Sequence, residues 1–321
     1  MHTITLLEPI HEHGARLLES RARVHRLSGP ADPGLGAALA DSDAIVVRST
    51  PVGAEILDLG PKLRVIGRHG AGTDNIDKDL AASRGIAVVN TPRSNTESVA
   101  EYAIAALMHL FKRFDAVQSA LRKGAFDPTL GSLPGQVDRL GLIGRELSGA
   151  HLGIVGAGAI GRSVAGRALA LGMRVSAVDP FADRAALAEA GIALVGSLEE
   201  LLPALDAISI HVPGGLSDEP VIGAAELALL PESAVLVNAA RGDVVDEEAL
   251  ALALDEGRLA GAAVDVFSSE PPQPDHPLLR ARNVLVTPHM AAMTAESLER
   301  MAVDVAQGTL AALDAGSEEE A

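Results

Sequence analysis

A chain of 321 residues is too long for one typical domain and suits two, each able to bury a core of its own. A formal net charge of −17 excludes a general nucleic-acid or anionic-membrane surface, which would need clustered Lys and Arg. Cysteine is absent, no apolar run is long enough to span a bilayer, and the N-terminus lacks a signal-peptide pattern, so the expectation is a soluble, cytoplasmic protein without disulfides or thiolate chemistry.

In chain order, 3–8 (TITLLE) and 44–48 (AIVVR) predict strands, with helices over 11–19 and 35–40 between them. A strand at Val65–Gly67 runs into the turn Arg68–Asp77 (RHGAGTDNID), whose glycines expose backbone N–H groups around Ala71 and Gly72 that can hold a carboxylate. A helix from about Lys78 and a strand at 87–89 follow. Pro92 stops that strand, and Ser94 and Glu97 have capping-box spacing ahead of a long helix through 102–114, on which His109 reads as a packing residue. The stretch 124–144 breaks into Gly, Pro and single apolar residues and predicts a long loop.

The segment His151–Asp179 reads as strand, glycine turn, helix and strand in one unit. Gly156, Gly158 and Gly161 have G-x-G-x-x-G spacing where the helix begins: the first makes a tight turn, the second lets the main chain approach a pyrophosphate, and the third lets the helix pack closely on its strand. The helix N-terminus offers free N–H groups to phosphates, and Asp179, ending the next strand, can accept from ribose hydroxyls. That combination predicts NAD as cofactor. Strands then alternate with helices at 193–195, 207–211, 235–238, 261–266 and 284–286, which predicts a parallel sheet with helices on both faces, and 294–313 reads as a final amphipathic helix ahead of an acidic, frayed tail.

Ligands of open α/β sheets bind outside the carboxyl ends of the strands. Four segments fall there: His211-Val212-Pro213; 238–242 (NAARG) with Ala239, Ala240 and Arg241; 264–272 (VDVFSSEPP) with Asp265 and Glu270; and 287–289 (TPH) ending in His289. An arginine, a carboxylate and an imidazole, each just past a strand of one sheet, form a candidate catalytic set. No metal site is expected.

Together these segments resemble the NAD-dependent D-isomer-specific 2-hydroxyacid dehydrogenases, which include phosphoglycerate, glycerate or hydroxypyruvate, D-lactate and formate dehydrogenases. The resemblance runs in order from about Ala44 to Glu296. It implies two Rossmann-like, doubly wound α/β domains with the active site in the cleft between them. Residues 1–97 plus 291–321 would be the discontinuous substrate domain and 98–290 the NAD-binding domain, with a homodimer formed through the latter. It also implies roles. His289 donates a proton to the carbonyl oxygen of a 2-keto acid as hydride arrives, and Glu270 orients the ring and favours its protonated form. Arg241 bridges the carboxylate and carbonyl with its planar fork, and the Ala71 and Gly72 amides hold the carboxylate's other side. Arg48 and Asn95 match positions near the substrate, Asp265 the one that binds the nicotinamide amide, Ala159 and Ile160 the pyrophosphate turn, and Val212 and Pro213 the adenosine side.

Departures from the family pattern accompany the matches. After His289 the family usually has glycine at one or both of the next-but-one positions, whereas here the run 290–294 is MAAMT, with Met290 and Met293 bearing on substrate size, and the 124–144 loop is longer than the family pattern. Formate dehydrogenases pair the histidine with glutamine, so Glu270 argues against formate, and no regulatory domain is expected after the final helix. The C-terminal binding protein corepressors resemble this family and keep its fold and triad, so an NAD-sensing interaction protein is the alternative. The favoured expectation is hydride transfer between NAD(H) and a small polar D-2-hydroxy acid, with Arg48 and Arg68 as local cations for a second anionic group.

Overall fold

Runs such as Ala44–Val47 (AIVV) and Val235–Leu236-Val237 are buried at every position, which requires helices on both faces and hence a parallel sheet. The computed structural model describes residues 1–215 and 217–319, with side chains up to 315. Its chain divides into two compact units, Met1–Ser98 with the residues from Ala292 onward, and Val99–Ala291. Among the described residues no helix is long and apolar enough to cross a membrane.

The first unit runs β1 (Thr3–Leu6), α1 (Glu12–Glu19), β2 (Arg23–Arg26), α2 (Leu35–Ala40), β3 (Ala44–Val47), α3 (Ala54–Leu57), β4 (Val65–Arg68), α4 (Lys78–Ser83) and β5 (Ala87–Val89). The sheet is parallel throughout, in the order β2-β1-β3-β4-β5. Strand side chains alternate between faces, so Ile45 and Val47 join Leu39, Leu57 and Ala81 on one side while Ala44 and Val46 join Leu18 on the other. That second side is closed by the C-terminal helix Ala295–Glu319, which brings Val305, Leu310 and Leu313 to it. The approach is tight: a Cβ on Gly14 of α1 would lie 2.3 Å from the Ala302 carbonyl, and one on Gly67 of β4 would lie 2.2 Å from Thr309 Oγ1. The helix runs past the expected 313, and the end of the acidic tail, 320–321, lies outside the described residues. Strand β2 escaped the sequence reading because RVHR is an edge strand without a buried apolar run.

In the second unit α5 (Thr96–Lys112), α6 (Phe114–Arg122) and α7 (Leu133–Arg139) precede β6 (His151–Val155), α8 (Ala159–Ala170), β7 (Arg174–Val178), α9 (Arg184–Glu189), β8 (Ala193–Leu194), α10 (Leu198–Leu201), β9 (Ala207–Ile210), α11 (Ala224–Leu229), β10 (Val235–Asn238), α12 (Glu247–Asp255), β11 (Gly261–Val264) and β12 (Val284–Val286). The seven strands lie in the order β12-β11-β10-β9-β6-β7-β8. Strand order reverses between β6 and β9, and that switch point is where a ligand crevice opens at the carboxyl edge. One core packs α5 and α8 through Leu107, Phe111, Val164 and Ala168, and the other packs α10 to α12 through Leu201, Leu227, Leu250 and Leu254.

The predicted loop 124–144 is corrected by α7. Pro134 stands in the first turn of that helix, where its missing N–H costs nothing. Buried Gln136 ties the preceding segment down: its amide accepts from Asp127 N and donates to the Asp127 and Gly131 carbonyls.

Candidate active site

The glycine turn after β6 gives each glycine a different constraint. Gly156 has φ +91°, open to glycine at no cost, and a Cβ there would meet the His211 carbonyl at 2.7 Å. Gly161 carries α8 against the turn so closely that a Cβ would lie 2.1 Å from the Gly156 carbonyl. Gly158 has nothing within 4 Å of its Cβ position, leaving open space above the start of α8, where Ala159 and Ile160 supply the first helical residues. Asp179 ends β7 with one carboxylate oxygen accepting from Ala157 N at 2.8 Å and the other from Phe181 N at 2.8 Å. It therefore braces the turn and keeps a lone pair on each oxygen. Arg184 sends its guanidinium to the Leu194 carbonyl, and Arg162 donates to the Ala157 carbonyl across the turn itself.

Val212 lies along Gly156, with Pro213 next in the same loop past β9. His211, expected with Val212 and Pro213 on the cofactor side, opens this loop. Its ring bonds Ser209 Oγ at 2.9 Å, and burial pushes the imidazole down to about 4, so it is neutral and faces the sheet.

Three consecutive strand ends carry the candidate chemistry. After β10, buried Asn238 folds the loop on itself: its oxygen accepts from Ala240 N, and its amide donates to the Arg241 carbonyl at 2.8 Å. Ala239 and Ala240 thus form the turn that presents Arg241, whose Nη1 donates to the Ala240 carbonyl. After β11, Glu270 accepts from Phe267 N through Oε1 and pairs through Oε2 with His289 Nδ1 at 2.7 Å. Both partners are open to solvent, His289 at 51% and Glu270 at 38% side-chain exposure. After β12, His289 sits at φ +52°, a left-handed conformation that costs a non-glycine residue about 1 kcal/mol.

Asp265 braces that conformation: it is 0% exposed, with its carboxylate turned to the loop that carries His289. Its oxygens accept from Thr287 Oγ1, from Met290 N and from Ala291 N, and its carbonyl accepts from His289 N at 2.7 Å. Tyr102 extends the chain by bonding Thr287 Oγ1 at 2.7 Å, and burial pushes its hydroxyl up to about 12. Met290 is exposed beside this loop, as is Met293 in the first unit.

The residues expected around the substrate carboxylate lie along the carboxyl edge of the first unit's sheet. Past β3, Glu8 accepts from the Ser49 hydroxyl and from the N–H groups of Arg48, Ser49 and Thr50, and against burial, which raises it, these bonds hold its carboxyl below the usual carboxylate range; Arg48 Nη1 donates to the Pro9 carbonyl. Past β4, no partner exists for the N–H groups of Ala71 and Gly72 among the described residues, while Asn90 holds the Ala71 carbonyl and Thr91 the Gly70 N–H. Past β5, the Asn95 side-chain oxygen is buried without a partner. Arg68, expected as a second cation, instead folds onto its own turn, donating to the His69 carbonyl and to Asn75. His11, His13 and Glu299 bring three possible metal-ligand atoms within 4.8 Å, but His11 Nδ1 accepts from His13 N and His13 Nδ1 bonds Glu299 at 2.6 Å, an arrangement complete without an ion.

His69, 3% exposed, is neutral in the fold, because burial, with Arg48 and Arg68 nearby, pushes it down to about 4. An unfolded chain protonates the same ring near 6.5, so it binds the extra proton first as pH falls. Stability is therefore complete above about pH 6.5 and declines towards pH 4, by about 3 kcal/mol from this ring if the full shift is expressed. Chemical denaturation between pH 7 and 4.5 should show that decline in wild type and a shallower one in His69→Phe; parallel curves would remove His69 as its source.

Residues 104–291 match the family model of the NAD-binding domain of the D-isomer specific 2-hydroxyacid dehydrogenases. The chain is 37% identical over 308 residues to the D-3-phosphoglycerate dehydrogenase of Methanocaldococcus jannaschii, covering 96% of this chain and 56% of that one. It is 40% identical over 276 residues to the glyoxylate reductase of Korarchaeum cryptofilum, covering 84% and 80%. The crystal structure of the Aquifex aeolicus D-lactate dehydrogenase, complexed with NAD and lactic acid, matches with a TM-score of 0.83 and 29% identity over 98% of this chain and 96% of that one. The chain belongs to the D-isomer-specific 2-hydroxyacid dehydrogenase family, and its cofactor is NAD. It spans about half the length of the phosphoglycerate dehydrogenases it matches. The open space over Gly158, the start of α8 and the spare lone pairs of Asp179 fit that dinucleotide.

Proposed function

We propose that this chain interconverts a small polar D-2-hydroxy acid and its 2-keto acid, of the phosphoglycerate, glycerate or glyoxylate type, using NAD(H). The observation that supports this best is the open His289–Glu270 pair at 2.7 Å, one strand end from Arg241 and on the same sheet edge as the glycine turn. Bound NADH supplies the hydride. His289, with Nδ1 bonded to Glu270, turns Nε2 to the substrate and gives its proton to the carbonyl oxygen, and the Glu270 carboxylate orients the ring and stabilises the charge it carries before transfer. Arg241 presents two parallel N–H donors to carboxylate and carbonyl oxygens. In the first unit, the unpartnered Ala71 and Gly72 amides, Asn95 and Arg48 are the substrate contacts, with Arg48 the cation for a second anionic group.

The proposal extends to assembly and location. Phe114, Leu121, Leu130, Leu133 and Ile143 are exposed along one stretch of the coenzyme unit, and burying them against a second copy supports a homodimer formed there. The acidic chain without a membrane-spanning helix among its described residues is assigned to the cytoplasm.

One experiment tests substrate and cofactor together: kcat/KM with glyoxylate, hydroxypyruvate, pyruvate, 3-phosphohydroxypyruvate and 2-ketoisocaproate, each with NADH and NADPH. The expected order places the small polar acids above 2-ketoisocaproate. NADH should exceed NADPH by roughly tenfold or more, because a 2′-phosphate would face the Asp179 carboxylate. A preference for 2-ketoisocaproate would overturn the size reading, parity of the two cofactors would overturn the part given to Asp179, and no turnover at all would overturn the enzyme assignment.

A further inference from the structure

Beside the His289–Glu270 pair lies a second carboxylate–imidazole pair, largely enclosed where the first is open. Glu247, in the first turn of α12, accepts from Ser268 N at 2.8 Å, from Ser268 Oγ at 2.7 Å and from His276 Nε2 at 3.1 Å. The side chains of Glu247 and His276 are only 11% and 17% exposed. His276 is fixed at its other nitrogen as well, since Nδ1 accepts from Leu278 N, which puts the ring proton on Nε2, facing Glu247. Its ring also stands edge-on to Phe267, centroids 5.4 Å apart.

These contacts converge on the peptide joining Phe267 to Ser268. On one side of it lies Gly242, where a Cβ would fall 1.9 Å from the Phe267 carbonyl carbon and 2.0 Å from Ser268 N. The other constraint is the Glu247 carboxylate on the Ser268 N–H. Phe267 also supplies, from the adjoining Val266–Phe267 peptide, the N–H that holds Glu270 Oε1, so the peptide clamped by Glu247 is joined at the Phe267 Cα to the one that aims Glu270 at His289. We infer that Glu247 and His276 are positioning residues for this reaction: they set the Phe267–Ser268 peptide, and through it the carboxylate that orients the proton-donating histidine. The inference rests on the roles proposed above for Glu270 and His289.

The mechanism makes a specific demand. If Glu247 acts only by placing Glu270, its removal matters while Glu270 has a carboxylate to place and ceases to matter once that carboxylate is gone. Misplacement of about an ångström in a catalytic constellation costs roughly a hundredfold, which sets the scale. The test is a double-mutant cycle on the full chain, measuring kcat for the best keto acid, NADH affinity by fluorescence titration and the unfolding midpoint. Glu247→Ala is expected to lower kcat by roughly ten- to a hundredfold with NADH affinity held, and to cost less than about threefold in a Glu270→Gln background. His276→Gln is the second, milder variant, expected to show the same background dependence should Glu247→Ala fold poorly. Equal losses in both backgrounds, or wild-type kcat in both single variants, would overturn the inference. His289→Ala run alongside separates the two readings: a turnover unaffected by that change would overturn the site assignment itself.

Discussion

Replacing His289 with alanine is expected to lower the rate of keto-acid reduction by roughly two to four orders of magnitude, the span for loss of a positioned general acid, with NADH affinity almost unchanged. The His289 ring bonds Glu270 through Nδ1, and half of its surface faces solvent. Since alanine is less comfortable than asparagine at φ +52°, His289→Asn serves as the companion, keeping the backbone shape while removing the proton donor. Both variants should be equally impaired in kcat. Turnover near wild type in either would take His289 out of the chemistry.

The second large effect is expected from Asp265→Ala. In the fold its carboxylate is enclosed and satisfies two backbone N–H groups and one hydroxyl, all in the loop that carries His289. Removing it strands those donors, and since bonds to a charged acceptor are worth more than neutral ones, a loss of about 3–5 kcal/mol in stability is expected. It also releases the backbone that fixes His289, so kcat should fall about as far as in His289→Ala. Asp265→Asn, which keeps one acceptor, should lie between. Unfolding midpoints, NADH titration and kcat together decide between bracing and cofactor contact: a variant of normal stability that bound NADH poorly would return Asp265 to the nicotinamide.

What was legible in the chain followed from burial and spacing. The seven-stranded sheet announces itself because its strands are apolar runs between helices, and the glycine triplet because each of its members is required by a separate steric limit. Arg241, Glu270 and His289 were found by their position past strands. Less visible was everything that holds them. Asn238, Glu247 and His276 are ordinary polar residues in sequence, and their significance is a matter of which N–H each carboxylate or amide reaches across the fold. Asp265 stands out in sequence, but its burial depends on loops distant in sequence. Helix α7 is hidden in sequence although Ser132 and Pro134 are a start signal, because the five glycines of 124–144 read as a loop. Arg68 reads in sequence as a local cation for a second anionic group, but its own turn offers a carbonyl within reach.

The C-terminal helix lying on β3 and β4 gives the order in which the chain can mature during synthesis. One face of the N-terminal sheet, with Ile4, Val46 and Val65, has α1 as its local cover and needs Val305, Leu310 and Leu313 to close, so it stays partly bare until those residues have emerged. The coenzyme unit, continuous from Val99 to Ala291, carries its own two cores and can condense before that helix is made. The N-terminal sheet, made before the coenzyme unit, thus reaches its final packing after it, and a chain cut before Ala295 would leave that sheet face unclosed beside a unit with cores of its own.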